Sequence, residues 1–296
     1  EEWGLLGSTE WAEKHARELS DKAVVYINTD STSKGWLDVS GSHSLEAFAN
    51  DLLRDLPDPK RAGKTLFQAK LDRAVSQAPN EDEELKLKAR RDFPVGALGS
   101  GSDYTAFLDH LTVASLNLGF GGEAPDSGVY HSKYDSFHWY TQFSDTDFAY
   151  NAALSRTIGT AILRLANGDV LPFEFTATAR TLGGYLDEVE KLRRDTKDAP
   201  LLDFEPLRAA IAKLRKAADA YAAAAARGGQ PKDREQLAEL NHLLYTSERR
   251  FKHEAGLPRR EAISGLGHMA QATSLFDAHD RHDFTIFKDH GIELPL

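Results

Sequence analysis

The spacing of apolar residues changes near residue 173 of this 296-residue chain. Before that point, short apolar runs at residues 23–28 and 111–117 predict buried strands, because runs of this length bounded by polar turns are typical of a sheet interior. Helical patterns separate these runs, and beyond residue 173 only helical spacing remains. The sequence therefore predicts an α/β first half followed by an all-α second half.

Helices are predicted wherever apolar residues recur at intervals of three or four positions. In chain order these segments are residues 8–19, 44–56, 102–111, 144–166, 182–193, 206–227 and 234–251. Ser8 or Thr9 is expected to cap the first helix, and Pro57 to end the second. Residues 228–231, Gly-Gly-Gln-Pro, are expected to form the turn between the last two helices.

Charge and composition exclude several classes of function. The 36 Lys and Arg residues against 46 Asp and Glu residues give a net charge of −10, and only short basic runs such as residues 191–194 occur, so nucleic-acid binding is not expected. The absence of cysteine excludes disulfides, thiolate metal sites and a cysteine nucleophile. No apolar run reaches the length of a membrane span. A cysteine-free chain suits the cytosol and the periplasm equally.

Four residues stand where chemistry is expected in an α/β protein. Glu1 and Glu2 precede a Gly-rich segment, Asp30 follows the first predicted strand, and His131 lies in a loop. Ligands in such proteins bind beyond the carboxyl ends of strands, and carboxylates together with neutral imidazoles suit zinc. The alternatives are that the acidic pair is a solvated turn and that the histidine is ordinary polar surface.

The residue sequences of four motifs favour the interpretation that these four residues have a chemical function. They read EEWGLLGSTEW at residues 1–11, YINTDS at 26–31, GSGSDY at 99–104 and VYHSKYDS at 129–136. In this order and spacing the chain resembles glutamate carboxypeptidase II and its transferrin-receptor-like relatives, which are di-zinc peptidases. The resemblance extends from residue 1 to about residue 258. It implies that the chain is the C-terminal part of such a protein.

The resemblance implies roles for the same four residues. Glu1 corresponds to the general base, which takes a proton from the attacking water and delivers it to the leaving amine. Glu2 and His131 correspond to ligands of one zinc ion, and Asp30 to a ligand of the other. The family's two further ligands, a histidine and a bridging aspartate, precede this pair in sequence. We therefore expect weak zinc binding and negligible activity from these 296 residues alone, and full activity from the intact protein.

Residues of the substrate cleft are also implied. Tyr130 corresponds to a position that lines the pocket, and the alternative is that it serves only in aromatic packing. Ser100, Gly101 and Ser102 correspond to a loop that borders the cleft. The alternative for this loop is that Ser102 or Asp103 is the N-cap of a helix. Residues 116–122 lack the arginines that favour acidic substrates in glutamate carboxypeptidases, and residues 259–296 do not match the family's closing stretch. Selectivity for acidic residues or for glutamate is therefore not supported.

The implied architecture has two parts. Residues 1–172 correspond to a zinc-peptidase domain, an α/β/α sandwich with a mixed sheet whose N-terminal part is missing. Residues 173–296 correspond to a helical dimerisation domain with a divergent tail, which implies a homodimer acting on peptides. A location of the protein outside the cytoplasm is implied by the resemblance alone. The alternatives are a catalytically silent transferrin-receptor-like binding protein, or an aminopeptidase built on the same di-zinc centre.

Overall fold

The computed structural model describes residues 5–123, 129–197, 199, 201–227 and 233–251. The chain divides into two compact units. The first unit contains the described residues within Glu1–Asn28, Ala97–Ser115 and His242–Leu296, and the second contains those within Thr29–Gly96 and Leu116–Asn241. Each unit therefore contains segments that are distant in sequence.

The first unit packs two short helices against a strand and a wide turn. These elements are α1 (Leu6–Lys14), α2 (Ala16–Lys22), β1 (Tyr26–Asn28) and a π-helical turn at Ala106–His110. Its core contains Ala12, Phe107 and Val113, and the ring of Tyr26 stacks on Phe107 at a centroid distance of 4.0 Å. The apolar run at residues 23–28 therefore packs against this core and also forms β1.

Two helix predictions in this unit are wrong in detail. The first helix begins at Leu6 rather than at a Ser8 or Thr9 cap, because Leu5 takes a left-handed conformation and the Ser8 hydroxyl donates to the Leu5 carbonyl oxygen. It is also broken at His15 into α1 and α2. The helix predicted at residues 102–111 is reduced mainly to the π-helical turn, which ends at His110, two residues before Thr112 with its φ of 54°.

The three described strands form one small mixed sheet. Within the first unit, the N–H of Tyr26 at the start of β1 donates to the Ala114 carbonyl oxygen just before β3 (Ser115–Gly122). Within the second unit, β2 (Gly35–Gly41) pairs antiparallel with β3, from Gly35 opposite Gly122 to Gly41 opposite Leu116. The strand order is therefore β1–β3–β2.

The strands differ from their predicted bounds. β1 is shorter than the predicted run, and β3 is displaced toward the C-terminus, so that the Gly-rich residues 118–122 lie inside a strand. β2 was not predicted, although Leu37 and Val39 alternate with more exposed residues, as expected for a half-buried strand. At the start of β2, an ideal Cβ on Gly35 would lie only 1.8 Å from the Gly121 carbonyl oxygen, and the φ of Gly35 is 151°, so this pairing requires glycine.

The remaining helices belong wholly or partly to the second unit. They are α3 (Glu46–Asp55), α4 (Leu66–Ser76), α5 (Glu81–Lys88), α6 (Phe137–Phe143), α7 (Ala149–Asn167), α8 (Thr176–Asp195), α9 (Glu205–Ala226) and α10 (Arg234–Thr246). Short 3-10 helices lie at His43–Leu45 in the second unit and at Ser247–Phe251 in the first. Five of these α-helices confirm predicted segments, whereas α4, α5 and α6 were not predicted.

Side chains of α3 hold the segment that runs beside β2. The side chain of Asn50 accepts from the N–H of Phe93 at 2.8 Å and donates to the carbonyl oxygen of Phe93 at 2.9 Å. The carboxamide therefore forms the two backbone hydrogen bonds that a neighbouring strand would otherwise form with Phe93. Glu46 accepts from the N–H of Val95 at 3.0 Å and forms an ion pair with Arg180 of α8. The segment then joins β2 through a bond of 2.7 Å from the N–H of Gly41 to the Gly96 carbonyl oxygen.

The predicted fold class is confirmed at a coarse level, as an α/β region with a small mixed sheet and helices after residue 173. The complete three-layer sandwich and the boundary between residues 172 and 173 stay predictions. The predicted turn at residues 228–231 and the tail at residues 259–296 lie outside the described residues. Among the helices that the structure describes, none combines the length and the apolar character needed to cross a membrane.

Candidate active site

Asp30 lies just beyond the carboxyl end of β1, as the sequence predicts. β1 ends at Asn28, and the carboxylate of Asp30 is exposed in the loop that leads to β2. This loop runs close to β3, because the Ser33 N–H donates to the Phe120 carbonyl oxygen at 2.9 Å, and a Cβ on Gly119 would lie 2.9 Å from the Ser31 carbonyl oxygen. Glycine at position 119 therefore lets the loop approach the sheet.

His131 is held by a compact loop in an uncommon backbone conformation. Its φ is 56°, in the left-handed region that few non-glycine residues occupy, and such residues concentrate at functional sites. The ring stacks on that of Tyr130 at 3.8 Å, and both residues are exposed. After the loop, the Ser136 hydroxyl accepts from the Trp139 N–H at 3.3 Å and caps α6. The loop therefore presents the imidazole to solvent.

The loop at residues 100–102 belongs to the first unit and is fixed by bonds at both ends. The Tyr104 hydroxyl donates to the Ser100 carbonyl oxygen at 3.2 Å, and Gly101 has a φ of 107°. The Ser102 hydroxyl accepts from the side-chain amide of Asn28 at 3.3 Å. The π-helical turn at Ala106–His110 has no side-chain cap, and the alternative that Ser102 or Asp103 caps a helix stays a prediction.

The structure describes only part of the expected metal-binding set. Glu1 and Glu2 lie outside the described residues, whereas Asp30 and His131 both belong to the second unit. Within the described ranges, no group of three or more His, Asp or Glu side chains is placed to hold a metal ion. The two described donors, an exposed carboxylate and an exposed imidazole, fit zinc chemically, and further ligands would be needed to complete a site.

A cavity of about 480 Å³ opens on the β2–β3 face of the second unit. Its floor is the face of the two strands that carries Trp36, Asp38 and Ser40, and one wall is helix α4. Asp30 lies at the start of the loop that forms another wall. The lining residues are Asp30, Ser31, Trp36, Leu37, Asp38, Ser40, Lys70, Arg73, Ala74, Gln77, Phe93, Asn117, Leu118, Gly119, Phe120, Gly121 and Gly122.

Sequence reasoning missed the cationic side of this cavity because it missed α4. Lys70 and Arg73 both come from α4, and Lys70 is paired with Asp38 at 2.9 Å. The helix had a sequence signal: the Thr65 hydroxyl accepts from the Gln68 N–H while the Gln68 side chain accepts from the Thr65 N–H, which is a capping box. A Thr followed three residues later by Gln could have located this helix.

The end of β3 is anchored by a network of charged and phenolic groups. Arg61 forms an ion pair with Glu123 and another with Asp58 at 3.1 Å, and it donates to the Gly35 carbonyl oxygen at 3.1 Å. The Tyr150 hydroxyl donates to Glu123 at 3.5 Å. Burial, helped by the charge of Glu123, raises the pKa of Tyr150. This phenol therefore stays a hydrogen-bond donor at neutral pH.

Comparison with known proteins places the chain in a family. No family model matches it. A probable glutamate carboxypeptidase of Arthroderma benhamiae is 33% identical over 267 residues, which cover 88% of this chain and 34% of the relative. The probable glutamate carboxypeptidase LAMP1 of Arabidopsis thaliana is 29% identical over 290 residues, 96% of this chain and 38% of the relative. This chain belongs to the glutamate carboxypeptidase-like, transferrin-receptor-like peptidase family.

The family resemblance inferred from the motifs is therefore confirmed. A further relative is the aminopeptidase NAALADL1 of Mus musculus, 26% identical over 225 residues, which cover 74% of this chain and 29% of that protein. This chain spans about a third of the length of these curated relatives. The family thus includes proteins named for cleavage at either end of a peptide.

Proposed function

We propose that the protein containing this chain is a zinc-dependent exopeptidase of the glutamate carboxypeptidase type. The observation that carries the proposal is the match to proteins named glutamate carboxypeptidase over 88% and 96% of the chain. The exposed carboxylate of Asp30 and the exposed imidazole of His131 support it, because both donor types bind zinc. The substrate is a peptide, and the bond cleaved lies near one of its termini.

Each of the four residues has a separate task in this proposal. Glu2 and His131 would hold one zinc ion and Asp30 would hold a second. A zinc pair lowers the pKa of a water molecule and polarises the scissile carbonyl group. Glu1 then takes the proton from the attacking water and passes it to the leaving amine, which requires that its carboxylate remain unprotonated at neutral pH.

Substrate contacts are proposed for two loops. The Tyr130 phenol is 75% exposed and its ring lies against His131, so its hydroxyl can donate to a substrate carboxylate near the metal ligand. Ser100, Gly101 and Ser102 form a loop whose glycine leaves backbone groups accessible. The bonds that fix this loop to Asn28 and Tyr104 reduce the entropy lost when a substrate binds.

Homodimerisation through the helical second half is also proposed. Leu192 of α8 and Leu207 of α9 are 59% and 44% exposed. Covering such side chains contributes about 25 cal/mol per Å² of apolar surface. Sedimentation of the natural protein at micromolar concentration tests this, and a monomer would contradict it.

Aminopeptidase activity is the second candidate, favoured by the relative named NAALADL1. The two reactions differ in which peptide terminus must be free. Dipeptides with a blocked amino group are substrates only for a carboxypeptidase, and dipeptides with a blocked carboxyl group only for an aminopeptidase. Hydrolysis of one series and not the other decides between them. Hydrolysis of neither, with zinc bound, would support the silent binding protein instead.

Variants of the two described donors test the metal centre. In the natural full-length protein loaded with zinc, Asp30→Asn and His131→Ala should each lower the bound zinc and bring hydrolysis to background. The matched controls are Asp219→Asn on α9 and His138→Ala on α6, which change exposed residues of the same types. If either donor variant retained the zinc content and activity of its control, that residue would not be a ligand.

A further inference from the structure

The turn that carries His131 continues directly into helix α6. The Ser132 N–H and the Ser132 hydroxyl both donate to the Val129 carbonyl oxygen, at 3.0 and 2.7 Å, which closes the turn around His131. The Asp135 N–H donates to the Ser132 carbonyl oxygen at 3.1 Å, and Ser136 then caps α6. Because these bonds follow one another from the turn to the helix, the placement of α6 governs where the imidazole of His131 lies.

Helix α6 is held by a phenol and by the packing of aromatic rings. The Tyr140 hydroxyl donates to the Asp145 carboxylate at 3.3 Å. The rings of Tyr140 and Phe137 lie 6.1 and 6.2 Å from the ring of Phe148, measured between centroids. Phe148 directly precedes α7 and has a φ of 58°, a left-handed conformation that is uncommon for a bulky side chain. Such a conformation persists only where the surrounding contacts hold it.

Asp145 joins α6 to a firmly packed part of the second unit. It is 1% exposed, and its carboxylate accepts from the Tyr140 hydroxyl, from the Tyr150 N–H at 3.3 Å and from the Asn151 N–H at 2.8 Å. Tyr150 and Asn151 stand in the first turn of α7, a 19-residue helix with buried residues such as Leu154. A buried carboxylate loses a hydrogen bond if it shifts, and that loss is costly. Asp145 therefore fixes the position of the phenol.

A metal ligand tolerates little displacement. Bonds between zinc and an imidazole nitrogen are about 2.0–2.1 Å long, so a small movement of the backbone removes the ligand from its place. Groups that support a ligand without touching the metal typically change metal affinity about 10–100-fold when they are lost. His131 lies in an exposed turn with a φ of 56°, and its position therefore depends on the support of a neighbouring element.

We propose that Tyr140 and Asp145 are positioning residues for His131. They hold α6, and with it the turn, where the imidazole reaches the metal. The inference rests on the proposed function, in which His131 would bind zinc. Asp145 also caps α7, so its replacement affects two features at once. Tyr140 is therefore the residue whose replacement isolates the positioning role.

The zinc affinity of the natural full-length protein, measured by competition with a chromophoric chelator, tests the proposal. Tyr140→Phe removes only a hydroxyl and leaves the cap of α7 in place, and we expect one of the two zinc ions to bind about tenfold more weakly. Tyr221→Phe on α9 is the matched control, because it removes the hydroxyl of another partly buried tyrosine. Phe148→Asn is an independent variant, since asparagine tolerates the left-handed conformation but offers α6 no ring. It should weaken zinc binding in the same way.

Hydrolysis at excess zinc separates positioning from ligation. Excess zinc should restore hydrolysis to Tyr140→Phe, whose imidazole is intact, but not to His131→Ala. Urea unfolding of each variant checks that the fold is retained. Zinc affinity at the control value in folded Tyr140→Phe or Phe148→Asn protein, or a loss of hydrolysis that excess zinc does not reverse, would overturn the positioning role and leave the proposed function standing. If wild type bound no zinc, or if His131→Ala kept all its zinc, the proposed role of His131 would fail, and the positioning role with it.

Discussion

Replacing Asn50 by alanine should destabilise the fold by removing the bonds that hold Phe93. The Asn50 side chain is 1% exposed, and its carboxamide both accepts from and donates to the backbone of Phe93, at 2.8 and 2.9 Å. An alanine side chain can form neither of these two hydrogen bonds to the backbone of Phe93. Because Asn50 and Phe93 are both buried, water cannot replace these bonds without opening the structure between α3 and the segment.

The magnitude follows from the two backbone groups that are left unsatisfied. Each buried polar group without a partner costs about 1–3 kcal/mol. Alanine is the better helix former at an interior position of α3, which offsets about 0.5 kcal/mol of this loss. We therefore expect the free energy of unfolding to fall by about 2–5 kcal/mol, which is a large share of the stability of an ordinary domain.

Urea unfolding followed by circular dichroism measures this change, and hydrogen exchange of the Phe93 amide shows where it acts. Asn167→Ala is the matched control, because its side-chain amide donates to one exposed carbonyl oxygen at the end of α7. The control should change stability by less than about 0.5 kcal/mol. An equally small effect of Asn50→Ala, with the Phe93 amide still protected, would refute the reasoning.

Three further predictions concern the rest of the second unit. Gly35→Ala should lower the melting temperature sharply, because its Cβ would meet the Gly121 carbonyl oxygen at 1.8 Å; a melting temperature equal to that of wild type would contradict the strand register. Burial, followed by the charge of Arg180, lowers the pKa of His43 to about 4 from an ordinary value of 6.5. Between these values the unfolded chain binds a proton that the folded chain does not, so stability should fall as the pH drops from 6.5 to 4, and urea titrations of His43→Gln should show a smaller fall. Asp145→Ala should cost about 1–2 kcal/mol by thermal unfolding, because its buried carboxylate accepts from the N–H groups of Tyr150 and Asn151 at the start of α7; an unchanged stability would show that this cap is dispensable.

Sequence patterns located the long helices well and the small strands poorly. α9 begins and ends within one residue of its predicted bounds, because its apolar face repeats over six turns and Pro206 stands in its first turn. β3 was displaced because glycines at positions 119, 121 and 122 read as a loop. Their role becomes visible only beside their neighbours: a side chain at 119 or 122 would collide with the loop at Ser31 or with Arg73.

The candidate site, like the fold, was predicted only in part from the sequence. The sequence placed Asp30 beyond the end of β1, and the structure confirms this position. The role of Glu1 as general base and the metal-binding roles of Glu2, Asp30 and His131 stay predictions. The motif resemblance was sufficient to indicate the family, and the relatives confirm it. Residue types and their spacing indicate the family because the chemistry of a site limits which side chains can occupy it.

By itself, the sequence determined the class of fold, the helical second half and the family, since each depends on local periodicity or on residue identity. Tertiary structure alone decided that the guanidinium of Arg73 lies over the Trp36 ring, and that Asn50 and Glu46 serve as hydrogen-bonding partners for the segment beside β2. The members of each group are separated by between about 37 and 49 positions in sequence. No local pattern encodes such contacts, because they arise only when the chain packs and water is excluded.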